Sequence, residues 1–312
     1  MSPDNAEQHA MKLALKIDVD TLRGTMEGVP RLLEILDRHR AHATFLFSLG
    51  PDHTGRAIKR VFRRGFMKKV SRTSVVEHYG IKTLLYGTLL PGPDIGKRGG
   101  DVMRSVRAAG HECGIHTYDH IKWQDHVAGQ SEAWTEHEMQ KAFDRFAEIF
   151  GTAAKTHGAA GWQMNRHAYR TEQRLGFDYC SDGRGAFPFI PVFNGEVIPC
   201  TQLPTTLPTL DELIGINGLN ADNVAQHLLN LTRDGKTDHV YTLHAELEGM
   251  KLLPVFDALL GGWREQGFEL CTTGELFRSL DVPALPYCEV RCGEIAGRSG
   301  TLALQGKQFL AH

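Results

Sequence analysis

The stretch LALKIDVD, residues 13–20, indicates the fold of this chain. Residues 13–19 alternate as a buried β-strand does, and two carboxylates, Asp18 and Asp20, stand at its end. Residues two apart on a strand face the same side of the sheet. Two acids on one face of an apolar strand are costly to bury unless they are paired or bind a metal, which favours a functional site here. The alternative is that one of them caps the following helix.

Strand-like segments recur along the chain and alternate with segments of helical period. Further strands are predicted at residues 43–49, 111–116, 177–181, 197–201, 239–244 and 268–271. Helices are predicted at residues 30–39, 101–109, 135–150, 166–175, 224–232 and 253–266. This alternation is typical of βαβ units with a parallel sheet. It predicts an α/β fold, a distorted (β/α) barrel of seven or eight units that is closed or incomplete.

In such a barrel, the carboxyl ends of the strands carry the site. His116 and His120 follow a middle strand, and their spacing of four lets both rings reach one ion. With Asp20 they would form a metal triad with open positions, and Asp18 would be the base that takes a proton from metal-bound water. The alternative is a pair of hydrogen-bonded or surface histidines in a chain that has 16.

His244, at the end of a late strand, is the candidate general acid. Amide hydrolysis requires protonation of the departing amine, and an imidazole is suited to this near neutral pH. The alternative is a core histidine bonded to the backbone.

Composition narrows the classes of function. With 312 residues, 41% of them hydrophobic, the chain can bury one large core or two ordinary ones. A net charge of −2 argues against a protein that binds nucleic acid over its whole surface. Residues 1–10 lack the pattern of a signal peptide, and no run approaches the roughly 18 apolar residues of a membrane span. We therefore expect a cytoplasmic protein, in which the cysteines are reduced.

The candidate residues lie in motifs that resemble those of the polysaccharide deacetylase family. Residues 110–120, GHECGIHTYDH, resemble its second motif, residues 17–21 its first, and Leu243-His244 its fifth. The resemblance implies a divalent ion on Asp20, His116 and His120, with Asp18 as base and His244 as acid. Zn, Mn, Co and Ni would suit these ligands alike.

Within that family, residues 18–30, 159–162, 181–185, 203–209 and 244–249 are most similar to deformylases of the aminoarabinose pathway. The resemblance implies a lipid-linked sugar phosphate as substrate, lipid A modification and resistance to cationic peptides such as polymyxin. It further implies substrate contacts from Ala160, Gly161, Trp162 and Glu246.

Two departures from the family pattern concern the base and the acid. The family's third motif usually supplies an Arg that orients the base, and residues 159–162 contain none. We predict that Arg184 takes this role. The family's fourth motif supplies an acidic partner for the acid histidine, for which Asp182 is the best match and Asp178 the alternative.

Residues 55–76 contain eight basic and no acidic side chains, with apolar residues at helical spacing. A basic amphipathic helix of this kind is typical of a membrane-surface element. The predicted membrane-facing residues are Arg56, Lys59, Arg60, Phe62, Arg63, Arg64, Phe66, Lys68 and Lys69. The alternatives are a solvated basic helix on the barrel and a nucleic-acid site. We therefore expect peripheral binding to the anionic inner face of the inner membrane, and no nucleic-acid partner.

The predicted layout is a polar extension (1–11), a catalytic barrel (12–282) with a basic insertion at about 52–97, and a Gly-rich C-terminal tail (283–312). Two other functions stay open, an N-acetyl sugar deacetylase of the peptidoglycan type and a non-catalytic metal- or lipid-binding protein. The sequence leaves the oligomeric state open.

Overall fold

A parallel sheet forms the centre of the protein, whose computed structural model describes residues 10–57, 80–298 and 300–310. The strands of the described residues are β1 (Lys12–Val19), β2 (Thr44–Ser48), β3 (Glu112–Thr117), β4 (Thr156–His157), β5 (Tyr179–Cys180), β6 (Ile190–Phe193), β7 (Glu196–Val197), β8 (Thr201–Gln202), β9 (His239–His244), β10 (Glu269–Cys271), β11 (Tyr287–Gly293) and β12 (Leu302–Gln308).

Eight of these strands make the central sheet, and all of their pairings are parallel. Their order is β9-β1-β2-β3-β4-β5-β8, and β10 pairs with the start of β1. β8 and β9 do not pair, but the segment after β8 spans the gap, since the Thr206 N–H donates to the Val240 carbonyl at 3.0 Å. The hydroxyls of Thr205 and Thr242 are 2.6 Å apart in the same gap. The sheet is therefore an incomplete (β/α) barrel, which confirms the predicted fold.

Helices surround this barrel. Those described are α1 (Val29–Arg38), α2 (Ile81–Leu85), α3 (Ile95–Ala108), α4 (His120–His126), α5 (Glu132–Phe150), α6 (Arg166–Leu175), α7 (Leu210–Leu213), α8 (Val224–Leu231), α9 (Leu253–Glu265) and α10 (Thr273–Arg278). Helix α5 begins where the Ser131 side chain accepts the Trp134 N–H, and it ends at Gly151, whose φ of 71° is left-handed. Helix α3 begins six residues before the predicted Asp101, because Asp94 caps it by accepting the Lys97 N–H.

The two faces of β1 have different environments. Its odd-numbered residues, from Leu13 to Val19, belong to the main hydrophobic core together with Leu32 and Ile35 of α1. Since side chains alternate along a strand, the even-numbered residues face the barrel interior. This alternation carries the charged residues of β1 into the middle of the fold.

The C-terminal region forms part of a second sheet with the order β12-β11-β6-β7. β11 pairs with β12 in antiparallel fashion and with β6 in parallel fashion. The Arg184 N–H donates to the Ala303 carbonyl at 2.9 Å, and the Gln305 N–H donates to the Arg184 carbonyl at 2.8 Å. The region predicted as a Gly-rich tail therefore packs against the loop after β5.

Residues 58–79 of the predicted basic insertion, which include every predicted membrane-facing residue from Lys59 to Lys69, lie outside the described residues. Arg56 is exposed at the end of the 3₁₀ turn Thr54–Ala57 and donates to the Gly87 carbonyl at 3.1 Å. In the part of the chain that is described, no helix has the length and apolar character needed to cross a membrane. All six cysteines are free.

Candidate metal centre

The first and third strands bring the predicted metal ligands together. Asp20 directly follows β1, His116 lies in β3, and His120 is the first residue of α4. The helix begins there because the Asp119 side chain accepts the Lys122 N–H. The other Asp119 oxygen is 2.6 Å from His53 Nδ1, which braces this turn. Local capping thus fixes His120 beside His116, with ring centroids 5.3 Å apart.

The three side chains have the separations of ligands to one ion. His116 Nε2 is 3.2 Å from Asp20 Oδ1, and His120 Nε2 is 3.5 Å from Asp20 Oδ2. Potential ligand atoms of the three residues all lie within 4.8 Å of one another. Bonds of about 2.0–2.2 Å to a common ion, at right to tetrahedral angles, place two ligand atoms about 3–3.5 Å apart. Asp20, His116 and His120 therefore fit a divalent metal.

Hydrogen bonds around the triad leave the ligand atoms available. His116 Nδ1 donates to the Gly158 carbonyl at 2.6 Å, which leaves the Nε2 lone pair facing Asp20. Asp20 Oδ1 is buried and has no hydrogen-bond partner. Burial by itself raises the pKa of Asp20, but the imidazoles of His120 and His116 beside it outweigh burial and hold that pKa well below its usual range. The carboxylate is thus ionised and lacks a partner that a cation would supply.

Asp18 lies next to the triad, inside the barrel. Its Oδ2 is 3.6 Å from Lys16 Nζ, and its Oδ1 is 3.8 Å from His116 Nδ1. Asp18 Oδ1 is buried without a hydrogen-bond partner. A carboxylate oxygen in this position is available to accept a proton from a molecule held at the triad.

His244 ends β9 directly beside Asp18, since these two residues are partners in the parallel register of β1 and β9. Burial lowers the pKa of His244, but the carboxylates of Asp211, Asp20 and Asp18 outweigh burial and raise this pKa to about 9. His244 Nδ1 is buried without a hydrogen-bond partner. A protonated imidazole is therefore positioned next to the two acids and has a proton to donate.

Asp182 has a different partner from the one predicted. Asp182 Oδ1 accepts the Ala159 N–H at 2.8 Å and lies 2.8 Å from His157 Nδ1, which is also 2.8 Å from Glu172. Burial lowers the pKa of His157, but Asp182 and Glu172 raise it to about 9. These residues and Cys180 also have potential ligand atoms within 4.8 Å of one another. Asp182 is thus bound to His157 in this buried network, and its pairing with His244 stays a prediction.

Arg184 is bound to Glu212 and not to Asp18. Its Nη1 is 2.6 and 2.8 Å from the two Glu212 oxygens, and its Nη2 donates to the Leu207 carbonyl at 3.0 Å. Glu212 is buried within the capping box of α7, where its charge requires a cation. These contacts do not support the hypothesis that Arg184 orients Asp18.

Three of the four predicted substrate-binding residues are buried. Glu246 Oε1 accepts the N–H groups of Asp20 and Thr21 at 3.1 and 2.9 Å, so Glu246 braces the turn that carries Asp20. Ala160 and Trp162 are buried, and Gly161, with a φ of 61°, is partly exposed. Glu246 therefore orients a predicted metal ligand, and Gly161 is the predicted substrate-binding residue that remains accessible.

Trp162 lies among cations rather than in an open cleft. Its ring centroid is 4.2 Å from Arg298 Cζ, 5.1 Å from Arg184 Cζ and 5.6 Å from Lys16 Nζ. The sequence motifs do not predict that Lys16 and Arg298 lie here. Lys16 carried a signal, because it is charged and lies two residues before Asp18 on the same face of an apolar strand. Arg298 is remote in sequence and carried none.

Comparisons with known proteins agree with this fold. The model of the polysaccharide deacetylase family matches residues 8–180. The protein named "Probable 4-deoxy-4-formamido-L-arabinose-phosphoundecaprenol deformylase ArnD" from Shewanella sediminis is 38% identical over 305 residues, covering 97% of this chain and 98% of the relative. A protein of the same name from Wigglesworthia glossinidia brevipalpis is 31% identical over 285 residues, covering 91% and 99%.

Solved structures show the same fold at low sequence identity. The "putative polysaccharide deacetylase from Mycobacterium smegmatis" has a TM-score of 0.61 and 16% identity, over 93% of this chain and 97% of the other. The "probable Polysaccharide deacetylase from Pseudomonas aeruginosa PAO1" has a TM-score of 0.56 and 16% identity, over 86% and 90%. At these identities the likeness concerns the fold alone.

Proposed function

Because the chain belongs to the polysaccharide deacetylase family, we propose that it removes the N-formyl group of undecaprenyl-phosphate-linked 4-deoxy-4-formamido-L-arabinose. The products are formate and the lipid-linked amino sugar. The observation that carries this proposal is the 38% identity, over nearly the whole of both chains, to a relative named for that reaction. The arrangement of Asp18, Asp20, His116, His120 and His244 supports it, because amide hydrolysis needs a base, an acid and an activated carbonyl.

Asp20, His116 and His120 are the residues that would hold the metal. When bound, a divalent ion supplies a Lewis acid that polarises the formyl carbonyl and acidifies water. Two imidazoles and one carboxylate suit Zn, Mn, Co and Ni alike. Glu246 and the Gly158 carbonyl support this triad by fixing the Asp20 backbone and the His116 ring.

Asp18 and His244 divide the proton transfers. Asp18 takes a proton from the water whose oxygen bonds to the formyl carbon, and its unpartnered Oδ1 is the acceptor. His244 gives a proton to the sugar nitrogen as the carbon–nitrogen bond breaks, so that the amine leaves as a neutral group. The two residues are strand partners, so the acid and the base lie side by side at one end of the barrel.

We further propose that the protein acts at the anionic inner face of the membrane, because the proposed substrate carries a lipid. Support comes from the basic run that begins with Arg56 and from an apolar tip after α2, where Leu89 is 81% exposed. Each basic residue near an anionic leaflet contributes about 1 kcal/mol. Sedimentation with anionic vesicles should be salt-sensitive and should weaken when Arg60, Arg63 and Arg64 are neutralised. Unchanged sedimentation of that variant would contradict membrane docking through this segment.

In this proposal the product serves the modification of lipid A, which lowers the negative charge that cationic peptides such as polymyxin recognise. The layout then consists of one catalytic barrel with a basic insertion for the membrane. The C-terminal sheet strands support the loops around Trp162.

The decisive experiment measures formate released from the lipid-linked formamido sugar by metal-loaded wild type, Asp18→Ala and His244→Ala. We expect release by wild type and none above background by either variant, with metal content unchanged in all three. The same sugar carrying an N-acetyl group is the matched control substrate. Acetate release without formate release would favour an N-acetyl sugar deacetylase, and an inactive wild type with bound metal would favour a non-catalytic binder.

A further inference from the structure

Lys16 is a fully buried lysine at the centre of the barrel, with no exposed surface. An ammonium group strongly prefers water, so a lysine is buried completely only when charged or polar partners replace its hydration. Neither the hydrophobic core nor the proposed chemistry described so far requires a cation at this position. Its burial therefore calls for an explanation from its contacts.

The contacts of Lys16 converge on the proposed base. Nζ lies 3.6 Å from Asp18 Oδ2 and donates to the Ser181 carbonyl at 3.0 Å. It also lies 5.6 Å from the centroid of the Trp162 ring, within the range of a cation–π interaction. Among the ion pairs of the described residues, Lys16 has one carboxylate partner, and this is Asp18.

The placement of Lys16 follows from the strand. Lys16 and Asp18 lie two residues apart on β1, so both side chains point into the barrel. β1 pairs with β2 and β9 at both residues, and a strand held on both edges is a rigid support. The Ser181 carbonyl, on the opposite side of the barrel, fixes the far end of the lysine.

We propose that Lys16 is the positioning residue for Asp18. Its ammonium holds Asp18 Oδ2, which orients the carboxylate and leaves Oδ1, the oxygen without a hydrogen-bond partner, free to accept a proton. Lys16 thus takes the role for which Arg184 was predicted. The catalytic part of this inference rests on the proposed function, whereas the pairing with Asp18 rests on the geometry alone.

The first test compares Lys16→Met, a neutral side chain of similar length, with Lys16→Arg, which keeps the charge. Lys12→Met is the matched control, since Lys12 lies on the same face of β1 and pairs with Glu269 away from the site. We expect Lys16→Met to lower kcat for formate release by about a hundredfold, as misplaced catalytic groups do, with KM within about threefold. Metal content should be unchanged, and Lys16→Arg should recover kcat to within about tenfold of wild type.

Two results would overturn the proposal. One is a Lys16→Met enzyme with wild-type kcat, and the other is Lys16→Arg no more active than Lys16→Met, since the role then would not depend on charge. The Lys12→Met control should keep the kcat of wild type.

A second test does not depend on the reaction. In a double-mutant cycle of Tm, Lys16→Met should destabilise the wild type strongly, because it leaves the buried Asp18 without its cation, and should destabilise Asp18→Asn much less. Additive shifts would overturn the pairing. If Lys16→Met alone fails to fold, we expect the addition of Asp18→Asn to restore folding, because the two side chains are coupled. A double variant that also fails to fold would contradict the pairing. An inactive wild type with a coupled cycle would refute the deformylase function and retain the pairing.

Discussion

Substitution of Arg184 separates two roles for this residue, support of the fold and orientation of the base. Arg184 and Glu212 form an ion pair in which Nη1 contacts both carboxylate oxygens, and their side chains are 12% and 2% exposed. Removal of one partner from a buried pair costs about 3–5 kcal/mol, because the other charge is left without compensation. Arg298 Nη1 stays 3.5 Å from Glu212 and offsets part of the loss, so we expect about 3 kcal/mol for Arg184→Met.

The corresponding shift in Tm follows from the size of the chain. An unfolding entropy of about 2.1 cal/mol/K per residue gives about 0.65 kcal/mol/K for 312 residues. A loss of about 3 kcal/mol therefore lowers Tm by about 5 °C. The measurement is thermal unfolding of the metal-loaded protein at one fixed metal concentration, since bound metal itself raises Tm. Formate release at 25 °C should keep a kcat within about tenfold of wild type, because Asp18 contacts Lys16 and not Arg184.

The matched control is the double variant Arg184→Met with Glu212→Gln. It should lose less stability than the sum of the single variants, because no uncompensated charge is left. A hundredfold fall in kcat for Arg184→Met with an unchanged Tm would refute this reasoning and return Arg184 to the role of orienting the base.

Three further predictions concern the triad, the base and the buried histidine network. Asp20→Ala should lose bound metal, as measured by mass spectrometry. Addition of a chelator should lower the Tm of wild type but not of this variant, and equal Tm shifts in the two proteins would contradict the triad. Asp18→Asn should keep its metal and lower kcat for formate release by about a thousandfold, within the range for a lost general base, and retention of wild-type kcat would exclude Asp18 as the base. The pKa of His157 is raised to about 9 in the folded protein. Protonated His157 therefore contributes up to about 3 kcal/mol to the free energy of unfolding, fully below about pH 6.5, and this contribution is lost as the pH rises through about 9. Urea unfolding at pH 6 and pH 9.5 should show this loss in wild type and not in His157→Gln, and identical pH dependence of the two proteins would contradict it.

The barrel and the metal triad could be predicted because their signals are local. β1 alternates over successive residues, and the acids at its end lie on one face of the strand. His116 and His120 are four apart, and α4 begins at the second of them. Patterns of this kind can be recognised from neighbouring residues alone, and the structure brings Asp20 and the two histidines together as their spacing predicts.

The partners of the buried charges could not be predicted in the same way. Arg184 and Asp182 were assigned by their position in motifs, but their contacts depend on Glu212 and His157, which the folding of distant loops brings to them. Glu246 faces a turn 226 residues earlier in the chain, and nothing in its neighbourhood indicates this. A charge inside a barrel must find compensation among all the segments that surround it, and only the structure identifies them.

The C-terminal region illustrates the same limit for strands. Its glycines are typical of an irregular segment, but β11 and β12 pair with each other and with β6. Strand formation there depends on a partner about 100 residues away, whereas a helix would leave a signal in its own sequence. The basic run after Arg56 stays a prediction from composition.

The long separation between Asp20 and Glu246 has a consequence for the order of events during synthesis. β1 is translated well before its neighbour β9 and the carboxylate that braces its terminal turn, which follow 226 residues later. At roughly 5–20 residues per second, this interval lasts roughly 10–45 s, during which one edge of the strand is unpaired and its acids stay in water. The metal triad thus acquires its brace late, and the nascent chain must avoid aggregation through that edge until β9 arrives.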